Sequence, residues 1–117
     1  VILTGGEPSL WISDEFIDQL HNLGKYVCIE TNGTRPIPTS IDWVTCSPKG
    51  APVVLERIDE VKVVFTGEDV EPYASLPARY HYLQPCSCQN TQAVVDYIIE
   101  HPFWRLSLQT HKYIHIQ

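Results

Sequence analysis

The sequence predicts an α/β fold, an incomplete β/α barrel of about six mostly parallel strands in which several helices are reduced to turns. Three observations carry this. Short β-branched runs recur along the chain, each followed by turn chemistry. Helical spacing of apolar residues occurs only twice, near residues 12–23 and 90–100. Nine prolines and short connections leave little room for further helices. The 117 residues, 44% hydrophobic and 19% charged, suit one globular domain spanning 1–117.

Taken in order, Val1-Ile2-Leu3-Thr4 is a buried-strand run ended by Gly5-Gly6. Phe16, Ile17, Leu20 and Leu23 then repeat with helical period between a Ser13 N-cap and Gly24. The next strands are Tyr26-Val27-Cys28-Ile29, Trp43-Val44-Thr45-Cys46 and the run Glu60 to Phe65, joined by loops. Tyr80-His81-Tyr82-Leu83 forms a fifth strand that ends at Gln84-Pro85. Val94, Val95, Ile98 and Ile99 mark a helix stopped before Pro102, and Arg105-Leu106-Ser107-Leu108 is the last strand. The chain opens on Val1, already inside an apolar run, and this predicts a segment preceding it. Without such a segment, the first strand lies at an open sheet edge.

Fourteen acidic against eight basic residues give a formal charge of −6 with no basic stripe, which argues against nucleic acid as a direct partner. No apolar run approaches the length of a membrane span and no signal or lipidation motif is present, so a cytoplasmic protein with no membrane partner is expected. The four cysteines, Cys28, Cys46, Cys86 and Cys88, do not have the spacing of a secreted disulfide framework. Nor do they offer a zinc or cluster pattern, so no metal ligand is assigned.

The informative regularity is positional. Gly-Gly-Glu-Pro, Glu-Thr-Asn-Gly, Ser-Pro-Lys and Gln-Pro all follow predicted strands, at the end where α/β folds bind ligands. Gly5-Gly6 permits a sharp turn that presents bare backbone, with Glu7 free to face a ligand ammonium. Alone, this is a tight turn with a solvated glutamate; the whole Thr4 to Pro8 string favours a ligand loop. Glu30-Thr31-Asn32-Gly33 suits an Asx-type turn with Gly33 at positive φ. Ser47-Pro48-Lys49 sets a hydroxyl and an ammonium on a rigid turn, a pairing suited to a carboxylate and a ribose hydroxyl. Lys25 and Lys62 read as solvated positions, and His21, His81 and His101 as structural or solvated ones.

These strings, with Asp-Glu-Val-Lys at 59–62, Leu-Gln-Pro at 83–85 and Trp-Arg-Leu-Ser-Leu-Gln-Thr-His-Lys at 104–112, resemble the 7-carboxy-7-deazaguanine synthase family of the radical S-adenosylmethionine (SAM) superfamily. Gly-Gly-Glu-Pro alone would fit a glycyl-radical activating enzyme equally well; the ending from Trp104 to Lys112 narrows the match. The resemblance implies a partial barrel of the radical SAM type and a lyase using SAM, a 4Fe–4S cluster and Mg²⁺ in queuosine biosynthesis. Its substrate would be a pterin, 6-carboxy-5,6,7,8-tetrahydropterin, and an external electron donor such as flavodoxin is implied. A homodimer is compatible with it.

Residue by residue, the resemblance places Gly5, Gly6, Glu7, Asn32, Ser47, Pro48, Lys49, Gln84, Pro85, Cys86 and Ser87 around SAM. It places Thr4, His111 and the carboxylate of Gln117 on the pterin. It assigns no catalytic residue to this chain. The superfamily's Cys-x3-Cys-x2-Cys loop is absent, so the cluster and Mg²⁺ ligands are expected upstream of Val1. That departure also raises a second reading, a non-catalytic fragment or binding module that is inactive alone.

Overall fold

The computed structural model describes residues 1–86 and 90–107. Among the described residues six strands form one sheet in chain order: β1 (Ile2–Leu3), β2 (Cys28–Thr31), β3 (Trp43–Cys46), β4 (Ile58–Phe65), β5 (Ala78–Pro85) and β6 (Arg105–Leu106). All five pairings among the described residues are parallel, with β1 and β6 at the edges of an open sheet. Sequential order with parallel neighbours is the arrangement of a partial β/α barrel.

Helix α1 (Asp14–Asn22) begins where expected, with the Ser13 hydroxyl accepting from the Phe16 amide. It ends on Leu23 with Gly24 at φ +75°, a left-handed position that favours glycine. Helix α3 (Thr91–Glu100) covers the second periodic segment. Between β2 and β3, and between β3 and β4, there are only loops. Two short elements had no sequence signal long enough to detect: a 3-10 turn at Pro8–Leu10 and α2 (Glu71–Ala74).

Strand boundaries differ from expectation at the C-terminal ends. Glu30 and Thr31 belong to β2, paired with Thr45 and Cys46, although Glu-Thr-Asn-Gly reads as a turn. Gln84 and Pro85 belong to β5, paired with Val64 and Phe65. Ladder pairing with the neighbouring strand outweighs local turn propensity at these positions. The last strand was expected to run to Leu108; the described part is Arg105–Leu106.

The sheet's two faces differ sharply. Ile29, Val44, Val61, Val63 and Leu83 point to the helix-covered face. There Leu3, Ile17, Val27, Ile29, Ile41 and Val44 pack under α1, and Cys46, Val61, Val63, Leu83, Val94 and Trp104 under α3. Ile17 and Val94 are fully buried, so each helix is held by its apolar stripe and not by propensity alone. The alternate residues Glu30, Thr45, Glu60, Lys62, Tyr80 and Tyr82 line the opposite face, which no helix among the described residues covers.

Candidate functional site

The uncovered face ends, at the C-terminal tips of β1, β2 and β3, in an open cavity of about 320 Å³. Thr4, Gly6, Glu7, Glu30, Thr31, Asn32, Ser47 and Lys49 line it. Three strings separated by up to forty-odd residues therefore meet at one rim, because parallel strands in chain order bring their following turns to the same end.

The first turn is built on Gly5 and Gly6 at φ +73° and +49°. Two successive left-handed residues exclude side chains on conformational grounds alone, since a Cβ at either would meet nothing within 4 Å. Glu7 follows as N-cap of the Pro8–Leu10 turn. Its Oε2 accepts from the Ser9 amide at 3.0 Å, from the Ser9 hydroxyl, and from Thr31 Oγ1 at 2.6 Å. Its Oε1 accepts from the Asn32 amide at 2.8 Å. Burial raises the Glu7 carboxyl's pKa, but the hydrogen bonds from Ser9, Thr31 and Asn32 outweigh it and hold the group below its ordinary value. The carboxylate, which lines the cavity, is thus also hydrogen-bonded from within the protein.

The second turn is fixed from within. Thr31 Oγ1 also accepts from the Gly33 amide at 3.2 Å, and Asn32 Oδ1 accepts from the Thr34 amide at 3.1 Å and hydroxyl at 2.8 Å. Gly33 sits at φ +77°, where an added Cβ would lie 2.8 Å from Cys46 Sγ. The Asn32 side-chain NH₂ has no partner among the described residues.

In the third turn, Ser47 is 7% exposed and its amide donates to Thr31 O at 2.7 Å. Its hydroxyl has no partner among the described residues. Lys49 is exposed and unpaired among those residues. Gln84, 4% exposed, repeats the pattern two strands away: a buried side-chain amide with no described partner, at the C-terminal end of β5. Buried polar atoms are normally satisfied, so the Ser47 hydroxyl and the Gln84 amide stand out as two buried polar groups without a partner among the described residues.

Of the remaining predicted site residues, Gly5 and Pro48 lie within the same turns, and Pro85 and Cys86 follow Gln84. The Cys86 amide donates to Asn90 Oδ1 at 2.7 Å. Ser87, His111 and Gln117 lie outside the described residues. Among the described residues, no group of three or more His, Cys, Asp and Glu is placed to hold a metal ion. None of the described helices is long and apolar enough to cross a membrane.

Two participants escaped sequence reasoning. Glu30 lines the cavity, and Lys62, read as solvated, is half-buried and donates to Glu30 Oε2 at 3.1 Å. The one available signal was alternation, which puts Glu30 and Lys62 on the same sheet face. A second groove of about 290 Å³, lined by Pro36, Ile37, Val54, Leu55 and Arg57, is more apolar and away from the motifs. Its arginine is already engaged by Ile41 O and lies 3.6 Å from Asp59.

The chain is 66% identical over 118 residues to the 7-carboxy-7-deazaguanine synthase of Bacteroides thetaiotaomicron, a match covering 100% of this chain and 65% of that protein. It is 48% identical over 123 residues to the 7-carboxy-7-deazaguanine synthase of Bordetella pertussis, covering 99% of this chain and 59% of the relative. Among solved structures, QueE from Escherichia coli superposes with a TM-score of 0.72 at 31% identity, over 92% of this chain and 55% of that one. No protein-family model matches. The chain spans less than two thirds of the length of these relatives.

Proposed function

We propose that the chain belongs to the 7-carboxy-7-deazaguanine synthase family, to whose members it is up to 66% identical, and that it carries the SAM site of a radical SAM lyase acting on 6-carboxy-5,6,7,8-tetrahydropterin. The product would be 7-carboxy-7-deazaguanine, which serves queuosine biosynthesis and so tRNA modification. The observation that carries the reading is the meeting of Gly6, Asn32, Ser47 and Lys49 around one cavity at the strand ends.

The residues present fit SAM. The exposed Lys49 ammonium and the orphan Ser47 hydroxyl suit its carboxylate and a ribose hydroxyl. The bare backbone of Gly5-Gly6 suits its amino group, and the free Asn32 NH₂ and Gln84 amide suit its remaining polar atoms. Pro48, Pro85 and Cys86 flank these contacts, and Ser87, outside the described residues, is assigned to the same cofactor by the sequence resemblance. When bound, SAM supplies the hydrogen-abstracting chemistry, and the protein's part is to orient it and to exclude water. Thr4, on the cavity wall, would face the pterin, with His111 and the Gln117 carboxylate completing that side.

The described residues do not fit a 4Fe–4S cluster or Mg²⁺, because no suitable ligand group is gathered among them, so no step is drawn through either. We place the activity in the cytoplasm, in a one-domain barrel reduced by flavodoxin and compatible with a homodimer.

The test is equilibrium dialysis of the protein against labelled SAM and against adenosine. Micromolar binding of SAM, and much weaker binding of adenosine, is the expected result. Equal affinity for the two would remove the methionyl-recognising role from the first and third turns.

A further inference from the structure

The Glu7 carboxylate receives four hydrogen bonds from within the protein. Two come from Ser9, in its own turn, and two from Thr31 and Asn32, in the turn after the next strand. Oε2 takes three of the four and Oε1 one, so Oε2 is filled and a single acceptor direction on Oε1 is left. The donors are also well chosen for a clamp: one reaches each carboxylate oxygen from the second turn. Thr31 extends the chain of contacts, because the oxygen that donates to Glu7 accepts from the Gly33 amide. Breaking the contact at Glu7 therefore leaves the Asn32 amide unpaired and loosens the Gly33 turn behind it.

We infer that Glu7 is a positioning residue, whose carboxylate brackets the Gly5–Gly6 turn to the Thr31–Gly33 turn while its side chain makes no direct contact with the ligand. The bracket stands on contacts within the protein. Only its consequence for SAM rests on the function proposed above. It holds Asn32 and Gly6 in the wall of the same cavity, and leaves the turn's main-chain oxygens to meet a ligand ammonium. Glutamine cannot replace it. Its NH₂ would be a donor set against the Ser9 amide or the Asn32 amide, each of which can only donate.

Three variants test this: Glu7→Gln, Thr31→Val and the double substitution. Thr31→Val is nearly isosteric, removes one arm of the bracket and leaves Glu7 in place, so the test stays decisive should Glu7→Gln fail to fold. The first readout is amide hydrogen exchange without ligand. Ser9 and Asn32 should exchange about tenfold or more faster in Glu7→Gln, and Asn32 and Gly33 faster in Thr31→Val, while β4 and β5 amides hold their protection. The second readout is the dissociation constant for SAM and for its desamino analogue, in which hydrogen replaces the amino group.

A bracket predicts that each variant weakens both ligands by the same factor, and that the double variant is no worse than the poorer single one to within about threefold. If Glu7→Gln costs SAM at least about tenfold more than it costs the desamino analogue, the carboxylate touches the ammonium and the inference falls. Unchanged exchange at Asn32 in both single variants also overturns it. Should the unsubstituted protein bind neither ligand, the SAM reading fails, and the exchange measurement alone decides whether Glu7 is a bracket.

Discussion

Lys62 and Glu30 meet over an intervening strand: the ammonium on β4 donates to the carboxylate on β2 at 3.1 Å, spanning β3. Alongside, Thr45 Oγ1 donates to Glu60 Oε1 at 2.7 Å, so the uncovered face is held by a cross-strand polar ladder. Both charged side chains are about a quarter to a third exposed, which tempers the ion pair but does not abolish it. Lys62→Met should cost about 1–2 kcal/mol and lower the melting temperature by roughly 4–10 °C. Most of the cost is the carboxylate left behind, so adding Glu30→Gln should restore a good part of it. Thermal melts of the two single variants and the double variant decide this; simple additivity would mean the pair is not coupled.

Gly33 and Gly24 share nearly the same backbone, φ +77° and +75°, but differ in surroundings. A Cβ at Gly33 would lie 2.8 Å from Cys46 Sγ and 3.0 Å from Val53 Cγ1, whereas one at Gly24 meets nothing within 4 Å. Gly24→Ala should therefore cost only the left-handed penalty of about 1–2 kcal/mol, and Gly33→Ala about 1–3 kcal/mol more through overpacking. Urea denaturation of both variants measures the difference. Equal losses would show that the Cys46 contact gives way freely.

Acid should weaken the fold through Asp42. Its Oδ2 accepts from the Val27 amide and pairs with His21 Nε2, both at 2.8 Å, and these contacts hold its carboxyl below the ordinary value. A depressed folded pKa contributes stability above the unfolded value of about 3.9, lost as pH falls through the folded value. Denaturation midpoints at pH 5 and pH 3 should differ less in Asp42→Asn than in the parent protein.

Base acts in the opposite sense through Tyr97. Burial, the hydrogen bond to Glu71 and that group's charge push its hydroxyl up to about 12. A raised folded pKa gives stability present below the unfolded value of about 10 and lost between there and about 12. Tyr97→Phe should remove that part of the alkaline loss, read from midpoints at pH 9 and pH 11.

Lys49 and Ser47 should separate binding from folding. Lys49→Ala removes an exposed charge, so stability should hold while the SAM dissociation constant rises about ten- to a hundredfold. Ser47→Ala deletes a buried hydroxyl with no described partner; it should leave stability unchanged or slightly improved and still weaken SAM. A Ser47→Ala variant that is destabilised yet binds normally would give that hydroxyl a structural role instead.

Much of this architecture was legible because it is set by neighbours in the chain. Ser13 and Gly24 delimit α1, the run Trp43–Cys46 is a strand as it stands, and the parallel order follows from alternating strands and connections. The gathering of the Gly6, Asn32 and Ser47 turns around one cavity was legible for the same reason, since turns that follow parallel strands share one end of the sheet. Strand limits at Glu30–Thr31 and Gln84–Pro85 were not, because pairing with β3 and β4 decided them. Nor was the fate of the charges. Glu7 reads as ligand-facing and Lys62 as solvated; Glu7 lines the cavity but also accepts from Thr31 and Asn32, and Lys62 donates to Glu30. Sequence periodicity determines which face a side chain takes, as a local consequence of backbone geometry. Which partner it finds there depends on strand register and on a few ångströms of turn placement, set by packing between segments 24 to 32 residues apart, and only the tertiary structure decides that.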